Sequence, residues 1–281
     1  GCGKSMTSLA LMGLLPTNST VTASRMGFSG RSLLAMPESE RRHLRGGEMT
    51  MIFQDPMASL NPSFTVGFQI EETLLEHADR AGGKGVGSRA LRTRAIDLLG
   101  EVGIPAPETR MNSFPHQLSG GMCQRVMIAM AIACQPRLLI ADEPTTALDV
   151  TIQAQILKLL KDLQKRSGTA LILITHDLGV VSQVTDRVQV MYAGQIVERG
   201  LTSQVISDPQ HPYTRALLDC LPGEATHRAR LKTISGLVPD LVHPPRGCLF
   251  HPRCPEVFEQ CSVKAPTEIM RSPGSGSRCL K

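Results

Sequence analysis

The sequence predicts an α/β fold with a parallel sheet, followed by a smaller C-terminal domain. The apolar runs 138–141 and 170–174 flank a segment in which apolar residues recur at helical spacing from Ile152 to Leu163. A strand–helix–strand alternation of this kind is typical of parallel strands joined by right-handed crossovers. The chain has 281 residues, enough for two domains, and the alternation breaks near residue 200, where Pro and Gly become frequent. We therefore expect one domain over 1–200 and a tail domain over 201–281.

Short elements are predicted in the N-terminal part of the chain. A helix is expected over Met6–Leu15, and Pro16 should end it. The polar, glycine-containing residues 17–48 predict short strands and turns, and the mixed charges of 38–45 are typical of a solvated helix face. The apolar run Met49–Phe53 predicts a short strand.

The middle of the chain is predicted to be mostly helical. Residues 62–115 have apolar side chains at helical spacing, divided by the glycine-rich turn 82–87. Ser119 is a candidate N-cap for a helix that runs to about Gln135, where Pro136 stops it. We expect a helical insert over about 62–135. Further along, Gly168 should end the helix that contains Ile152, and a short helix should follow His211.

Composition and charge restrict the class of protein. There are 30 Lys and Arg against 25 Asp and Glu, a net charge of +5 that is not gathered in one tract. With no Trp, two Tyr and seven Phe, the chain offers few rings for stacking on bases, so we expect no nucleic-acid partner. The longest uninterrupted apolar run, Val126–Cys134, has nine residues. A membrane-spanning helix needs about twenty, so we expect none in this chain, and we expect reduced thiols in the cytosol.

The chain begins inside a glycine-rich motif, Gly1-Cys2-Gly3-Lys4-Ser5. This is the end of the phosphate-binding pattern G-x-x-x-x-G-K-[ST], in which backbone N–H groups and a helix N-terminus surround phosphate. Lys4 would reach the β- and γ-phosphates of a nucleotide, and Ser5 would hold Mg²⁺. The alternative is a glycine-rich turn followed by chance by Lys and Ser. We expect the missing start of the pattern, and the strand that leads into it, to precede Gly1.

Two carboxylates follow the apolar run 138–141. Asp142 and Glu143 would lie at the carboxyl edge of a parallel sheet, where nucleotides bind in α/β proteins. Asp142 would hold Mg²⁺ through water, and Glu143 would orient or deprotonate the attacking water. The alternative is a strand end that carries two solvated acids.

Four further patterns are ambiguous when each is taken alone. Ser119-Gly120-Gly121 offers backbone N–H groups to an anion, or is an ordinary helix cap. Gln54 is a candidate for the Mg²⁺ or water region, or a surface glutamine. His176 is a candidate for a phosphate contact, or a structural histidine. Asp149 follows Ala-Leu in a turn, where aspartate also caps helices.

Taken together and in order, these motifs resemble the ATP-binding subunits of ABC transporters over about residues 1–200. The motifs are GCGKS, Gln54, LSGG, LLIADE, ALD and His176. The resemblance implies a P-loop NTPase with a RecA-like core, a helical ABC insert and the cofactors ATP and Mg²⁺. It implies that Gln54 senses the nucleotide state, that His176 contacts the γ-phosphate and that Asp149 lies at a dimer interface. It also implies that Ser119, Gly120 and Gly121 close over an ATP held by another subunit.

Three segments point to one group within this family, because they are similar to the ATPase subunits of dipeptide, oligopeptide and nickel permeases. They are MIFQDPMASLNP at 51–62, HQLSGGMCQRVMIAMAI at 116–132 and HPYTRALL at 211–218; GCLFHPRCPEVFEQC at 247–261 resembles the tail of that family. The resemblance implies an ATPase that powers peptide import, with nickel import as the alternative. Its partners would be a second homologous ATPase or itself, two membrane-spanning permease subunits and, indirectly, a periplasmic peptide-binding protein. Its location would be the cytoplasmic face of the membrane.

The last part of the chain contains Cys248, Cys254, Cys261 and Cys279. Five, six and seventeen residues separate successive members, so the C-x₂-C spacing of structural zinc sites is absent. Spacing alone favours unligated thiols. The resemblance to permease ATPases instead implies a [4Fe–4S] segment, and we keep that as a hypothesis.

Two other classes of protein share some of these motifs. Soluble ABC-type ATPases of DNA maintenance interrupt the nucleotide-binding halves with a long coiled coil, but residues 55–118 between Gln54 and Ser119 contain no run of heptads. An iron–sulfur module in which nucleotide is only regulatory would not need both Glu143 and His176.

Overall fold

The computed structural model describes residues 2–77, 87–146, 148–221 and 233–281. The chain divides into two compact units, one of residues 5–174 and one of residues 1–4 together with 175–281. The second unit begins well before residue 200 because strands on both sides of that position pair with one another. The expected division into domains at residue 200 remains a prediction, since a compact unit need not coincide with a domain.

A parallel sheet forms the centre of the first unit. Within the described residues it contains β3 (Met49–Ile52), β4 (Leu138–Asp142) and β5 (Ala170–Ile174), with β4 in the middle. Met49 pairs with Leu138, and Leu138 pairs with Ala170, so the three carboxyl ends lie at one edge. All three strands had been expected from their apolar runs, and the parallel arrangement confirms the predicted fold class.

The N-terminal elements of the chain are short. Helix α1 ends earlier than expected because Gly13 adopts a left-handed conformation, with φ of 68°. A buried cluster that includes Met12, Leu33 and Leu44 packs these elements against the sheet residues Met49 and Ile140. Their bounds are α1 (Lys4–Met12), β1 (Gly27–Phe28), β2 (Arg31–Ser32) and α2 (Glu38–Leu44).

The segment expected to be a helical insert is helical over most of its described residues. Buried apolar faces of its helices, including Ile70, Leu98 and Ile128, form one core with residues of the sheet. The predicted turn at 82–87 falls almost entirely outside the described residues. The bounds are α3 (Pro56–Ser59), α4 (Val66–Glu76), α5 (Ser88–Glu101), α6 (Pro107–Arg110), a 3₁₀ turn (Pro115–Gln117) and α7 (Gly120–Ile132).

Helix α8 (Val150–Ser167) connects β4 to β5 and is amphipathic, with Ile156, Leu160 and Leu163 buried. Asp149 caps its first turn, and Gly168 ends it in the left-handed conformation at φ 69°. The C-terminal end confirms the prediction made from Gly168, and Asp149 has the capping role that was one of its alternatives.

The second unit contains an antiparallel sheet that the sequence did not predict. Its strand order is β6-β7-β9-β8, so a hairpin close to the C-terminus pairs with β7. Tyr192, Phe250 and Val197 belong to its buried core. The bounds are α9 (Leu178–Val184), β6 (Arg187–Tyr192), β7 (Gln195–Leu201), α10 (Thr202–Ser207), α11 (Pro212–Asp219), 3₁₀ turns (His251–Arg253 and Glu259–Ser262), β8 (Ile269–Ser272) and β9 (Ser275–Ser277).

Candidate functional site

The two predicted carboxylates lie at the carboxyl edge of the parallel sheet. Asp142 is the last residue of β4 and is almost completely buried, whereas Glu143 is half-buried. The backbone N–H of Glu143 donates to the carbonyl of Ile174 at 2.9 Å, which joins the ends of β4 and β5. Glu143 has φ of 45°, a left-handed conformation that is uncommon for a residue with a side chain. The chain therefore turns sharply where the second carboxylate begins.

Gln54 and Glu143 lie in direct contact although they are far apart in sequence. Gln54 follows β3, and its Nε2 donates to Oε2 of Glu143 at 3.1 Å. The contact forms because β3 and β4 are parallel neighbours, so their carboxyl ends meet. Two of the residues expected to act on the nucleotide are thus joined by a hydrogen bond.

Thr146, a residue outside the predicted motifs, also contacts Glu143. Its Oγ1 donates to the same Oε2 atom at 3.0 Å, and its backbone N–H donates to the Glu143 carbonyl at 3.1 Å. The two residues are three positions apart in a turn that contains Pro144. A hydroxyl three residues after a candidate base, with proline between them, is the signal that could have indicated this contact.

Two helix N-termini lie side by side in the same unit. Ser119 Oγ accepts from the backbone N–H of Met122 at 3.3 Å, and Asp149 Oδ1 accepts from that of Ile152 at 3.0 Å. A Cβ on Gly121 would lie 2.9 Å from Cγ2 of Ile152, so the first turns of α7 and α8 pack closely. Ser119 and Asp149 therefore act as helix N-caps, which was the alternative to a functional role for each of them.

The glycine-rich motif leads directly into α1. Gly3 has φ of 94°, which favours glycine, and the carbonyl of Cys2 accepts from the backbone N–H of Gly194 at 3.0 Å. Lys4 begins the helix, and Ser5 follows in its first turn; both are half-buried. A loop that opens a helix presents N–H groups and the positive end of the helix dipole, as the phosphate-loop interpretation requires. Gly1 lies outside the described residues.

His176 is exposed, between β5 and α9. The next residue, Asp177, is the N-cap of α9 and accepts from the backbone N–H groups of Gly179 and Val180 at 2.8 and 3.2 Å. His176 belongs to the unit of residues 175–281, whereas Gln54, Asp142 and Glu143 belong to the other.

All four tail cysteines line one cavity of the second unit. Burial raises the pKa of the Cys248 thiol, against the effect of hydrogen bonds from the backbone at Phe250 and His251. Burial likewise raises the pKa of Cys254, against a backbone hydrogen bond at Glu256. All eight cysteines are free thiols. In the part of the chain that the structure describes, no three His, Cys, Asp or Glu side chains are grouped to bind a single metal ion.

His211 also lines this cavity and is almost completely buried. Its Nδ1 accepts from the backbone N–H of Tyr213 at 3.0 Å, which caps α11. Its own backbone N–H donates to the buried Glu198 carboxylate at 3.0 Å. Burial and the nearby charge of Arg215 lower the pKa of His211 to about 4, although a hydrogen bond to the Arg278 backbone opposes that shift. His211 is therefore neutral near pH 7.

None of the helices in the described ranges combines the length and apolar character needed to cross a membrane.

Comparison with known proteins places the whole chain in one group. Residues 1–146 match the family model described as ABC transporter, and residues 197–261 match that described as oligopeptide/dipeptide transporter, C-terminal region. The chain is 52% identical over 279 residues to the dipeptide transport ATP-binding protein DppD of Escherichia coli K12, covering 99% of the chain and 84% of that protein. It is 48% identical over 281 residues to the oligopeptide transport ATP-binding protein OppD of Salmonella typhimurium LT2, covering 100% and 82%.

Solved structures with the same fold are ATP-binding cassettes. One is the dimeric cassette MJ0796 in a post-hydrolysis state bound to ADP and Pi, with a TM-score of 0.61 and 27% identity, covering 72% of this chain and 81% of that chain. Another is cbiO1 from Clostridium perfringens, part of the ABC transporter complex cbiONQ, with a TM-score of 0.60 and 28% identity, covering 74% and 76%. The fold, the order of the motifs and these matches agree: the chain belongs to the ATP-binding subunits of ABC transporters, in the dipeptide/oligopeptide permease family.

Proposed function

We propose that this chain binds and hydrolyses ATP and that hydrolysis powers the import of dipeptides and oligopeptides. The observation that carries the ATPase role is the contact of Gln54 with Glu143 beside the buried Asp142, at the carboxyl edge of a parallel sheet. Identities near 50% to proteins named for dipeptide and oligopeptide transport support the substrate class.

The nucleotide would be held by the glycine-rich motif at the start of the chain. Backbone N–H groups of Cys2 and Gly3 and the N-terminus of α1 suit phosphate oxygens, and Lys4 adds a positive charge. Ser5, Gln54 and Asp142 supply hydroxyl, amide and carboxylate oxygens, the ligand types that Mg²⁺ prefers. The donor set therefore fits the metal, which would neutralise charge on the β- and γ-phosphates.

Glu143 would act on the water that attacks the nucleotide. The water oxygen forms a bond to the γ-phosphorus, the bond from that phosphorus to the β–γ bridging oxygen breaks, and ADP leaves with the electron pair. Glu143 accepts or orients the proton that the water gives up. As the family resemblance implies, His176 would contact the γ-phosphate and Gln54 would sense the nucleotide state.

A second copy or a homologous ATPase would complete each site. Ser119, Gly120 and Gly121 would close over an ATP held by the partner's phosphate loop, with Asp149 at the interface. One relative of known structure supports this, since MJ0796 is dimeric in two solved structures. The dimer would dock on two membrane-spanning permease subunits at the cytoplasmic face of the membrane, supplied by a periplasmic peptide-binding protein.

The catalytic assignment is tested with Glu143→Gln in the assembled transporter. We expect ATP binding to persist and turnover to fall about 10²-fold or more, the scale of losing a general base. Lys4→Ala should instead weaken ATP binding, because it removes a phosphate contact. Glu40→Gln, an exposed position in α2, is the matched control and should behave as the wild type. Near-normal turnover of Glu143→Gln would remove Glu143 from the mechanism.

The substrate class is tested by ATPase stimulation in proteoliposomes that contain the permease subunits and the binding protein. Dipeptides and short oligopeptides should stimulate turnover. Stimulation by Ni²⁺ and by none of the peptides would contradict peptide import and favour the nickel alternative.

We also propose that Cys248, Cys254, Cys261 and Cys279 bind a [4Fe–4S] cluster. Their convergence on one cavity supports it, because thiolates are the usual ligands of such clusters. When bound, the cluster would tie four segments of the tail together through Fe–S bonds.

Metal analysis of protein purified without oxygen tests this proposal. The protein should be brown and contain iron and sulfide in equal amounts, and each Cys→Ser change should bleach it. Zinc, or no metal at all, would contradict the cluster.

A further inference from the structure

The Glu143 carboxylate is fixed by two donors that reach it from different parts of the chain. Gln54 Nε2 and Thr146 Oγ1 both donate to Oε2, at 3.1 and 3.0 Å. Gln54 comes from the end of β3, whereas Thr146 belongs to the same turn as Glu143. Two bonds to one oxygen hold the plane of the carboxylate as well as its position.

Thr146 is tied to Glu143 through its backbone as well as its hydroxyl. The backbone N–H of Thr146 donates to the Glu143 carbonyl at 3.1 Å, which closes the turn. Pro144 is buried within this turn and has a fixed φ, so the turn has little freedom to change shape. The left-handed backbone at Glu143 starts the turn. A left-handed conformation is strained in a residue other than glycine and persists only where its surroundings hold it.

We propose that Thr146 is a positioning residue for ATP hydrolysis: its hydroxyl holds the Glu143 carboxylate in the orientation that meets the attacking water. The inference rests on the proposed role of Glu143. It goes further because it assigns the orientation of the base to a hydroxyl that the family motifs did not single out. General-base catalysis needs the base within hydrogen-bond reach of its proton, so a carboxylate that rotates away loses rate.

Two substitutions separate the hydroxyl from the rest of the side chain. Thr146→Val keeps the shape and removes the donor, whereas Thr146→Ser keeps the donor. In the assembled transporter we expect Thr146→Val to lower kcat about 10-fold with KM for ATP unchanged, and Thr146→Ser to retain most of the activity. Thermal unfolding of each variant checks that the fold persists.

A double-mutant cycle with Glu143→Gln decides whether Thr146 acts through Glu143. We expect Thr146→Val to lower kcat in the wild type and to have little further effect in Glu143→Gln, since residues that act as a unit are non-additive. An unchanged kcat in Thr146→Val, or an equal loss in both backgrounds, would overturn the inference alone. Near-normal turnover of Glu143→Gln itself would overturn both the inference and the proposed role of Glu143.

Discussion

At the scale of single residues, the buried Glu198 and His211 of the second unit have defined hydrogen-bond partners. Glu198 is almost completely buried, and its two carboxylate oxygens accept from the backbone N–H groups of Gln210 and His211 at 2.7 and 3.0 Å. These bonds hold the start of α11 next to β7. A carboxylate needs such partners when it is removed from water.

His211 makes the stability of this unit depend on pH. Its pKa is about 4 in the folded chain, mainly because of burial, against about 6.5 when unfolded. The folded state therefore binds a proton at His211 more weakly than the unfolded state does. The contribution of His211 to the free energy of unfolding is complete above about pH 6.5 and declines as the pH falls towards 4. We expect the free energy of unfolding to fall by up to about 3 kcal/mol over that window from this residue.

Denaturant unfolding of the wild type and His211→Gln at a series of pH values measures this contribution. The difference between the two proteins should shrink as the pH falls from 6.5 to 4, because only the wild type carries the titrating imidazole. A difference that stays constant with pH would contradict the prediction.

At the scale of elements, two segments of the tail pack closely because Gly247 has no side chain. Gly247 has φ of 74°, and a Cβ there would lie 2.3 Å from the Cys261 carbonyl oxygen. The next residue, Cys248, donates its backbone N–H to the same Cys261 carbonyl at 2.8 Å. The close contact of these segments brings two of the four cysteines to the same cavity.

We expect Gly247→Ala to destabilise the tail much more than Gly194→Ala does. Both positions have a positive φ, but a Cβ on Gly194 meets no atom within 4 Å. The strain of the left-handed conformation, about 1–2 kcal/mol, is common to both. The clash with backbone atoms at Cys261 and Ser262 should add about 1–3 kcal/mol, the scale of overpacking. Denaturant unfolding checks this; equal losses in the two variants would contradict it.

At the scale of the whole molecule, the predicted nucleotide motifs are spread over both compact units. Lys4 and His176 belong to the unit that contains residues 175–281, and Ser5, Gln54 and Glu143 belong to the other. Ser119 and Asp149, at adjacent helix N-termini, form a further group. The family resemblance assigns that group to the ATP of a partner subunit, so the assembly is the unit of function.

We expect ATP to drive association in the Glu143→Gln background, because nucleotide bound at an interface and not hydrolysed stabilises the dimer. Sedimentation with Mg-ATP should give a dimer of the chain with itself or with the homologous ATPase. Ser119→Arg should abolish association and leave ATP binding in place, since Ser119 is proposed to act on the partner's nucleotide. Ser88→Arg, at the start of α5, is the control. Association that persists in Ser119→Arg would contradict the proposed interface.

Local sequence determined the elements of the nucleotide-binding region. The strands at 49–52, 138–142 and 170–174 and the ends of α8 were predictable because apolar runs, an N-capping aspartate and a C-terminal glycine act through neighbours in the chain. The tail was less predictable, because β9 is stabilised by pairing with β7, far away in sequence. Such pairing leaves little trace in local periodicity.

The motifs by themselves determined the family and its candidate residues, because their types and order are specific to one kind of phosphate chemistry. Only the tertiary structure decided how the Glu143 carboxylate is held. Gln54 reaches Glu143 because parallel pairing of β3 with β4 brings their carboxyl ends together, and Thr146 reaches it because the turn folds back. The convergence of four unevenly spaced cysteines on one cavity likewise depended on packing of the tail. Contacts between residues distant in sequence arise from burial and sheet register, which no short segment encodes.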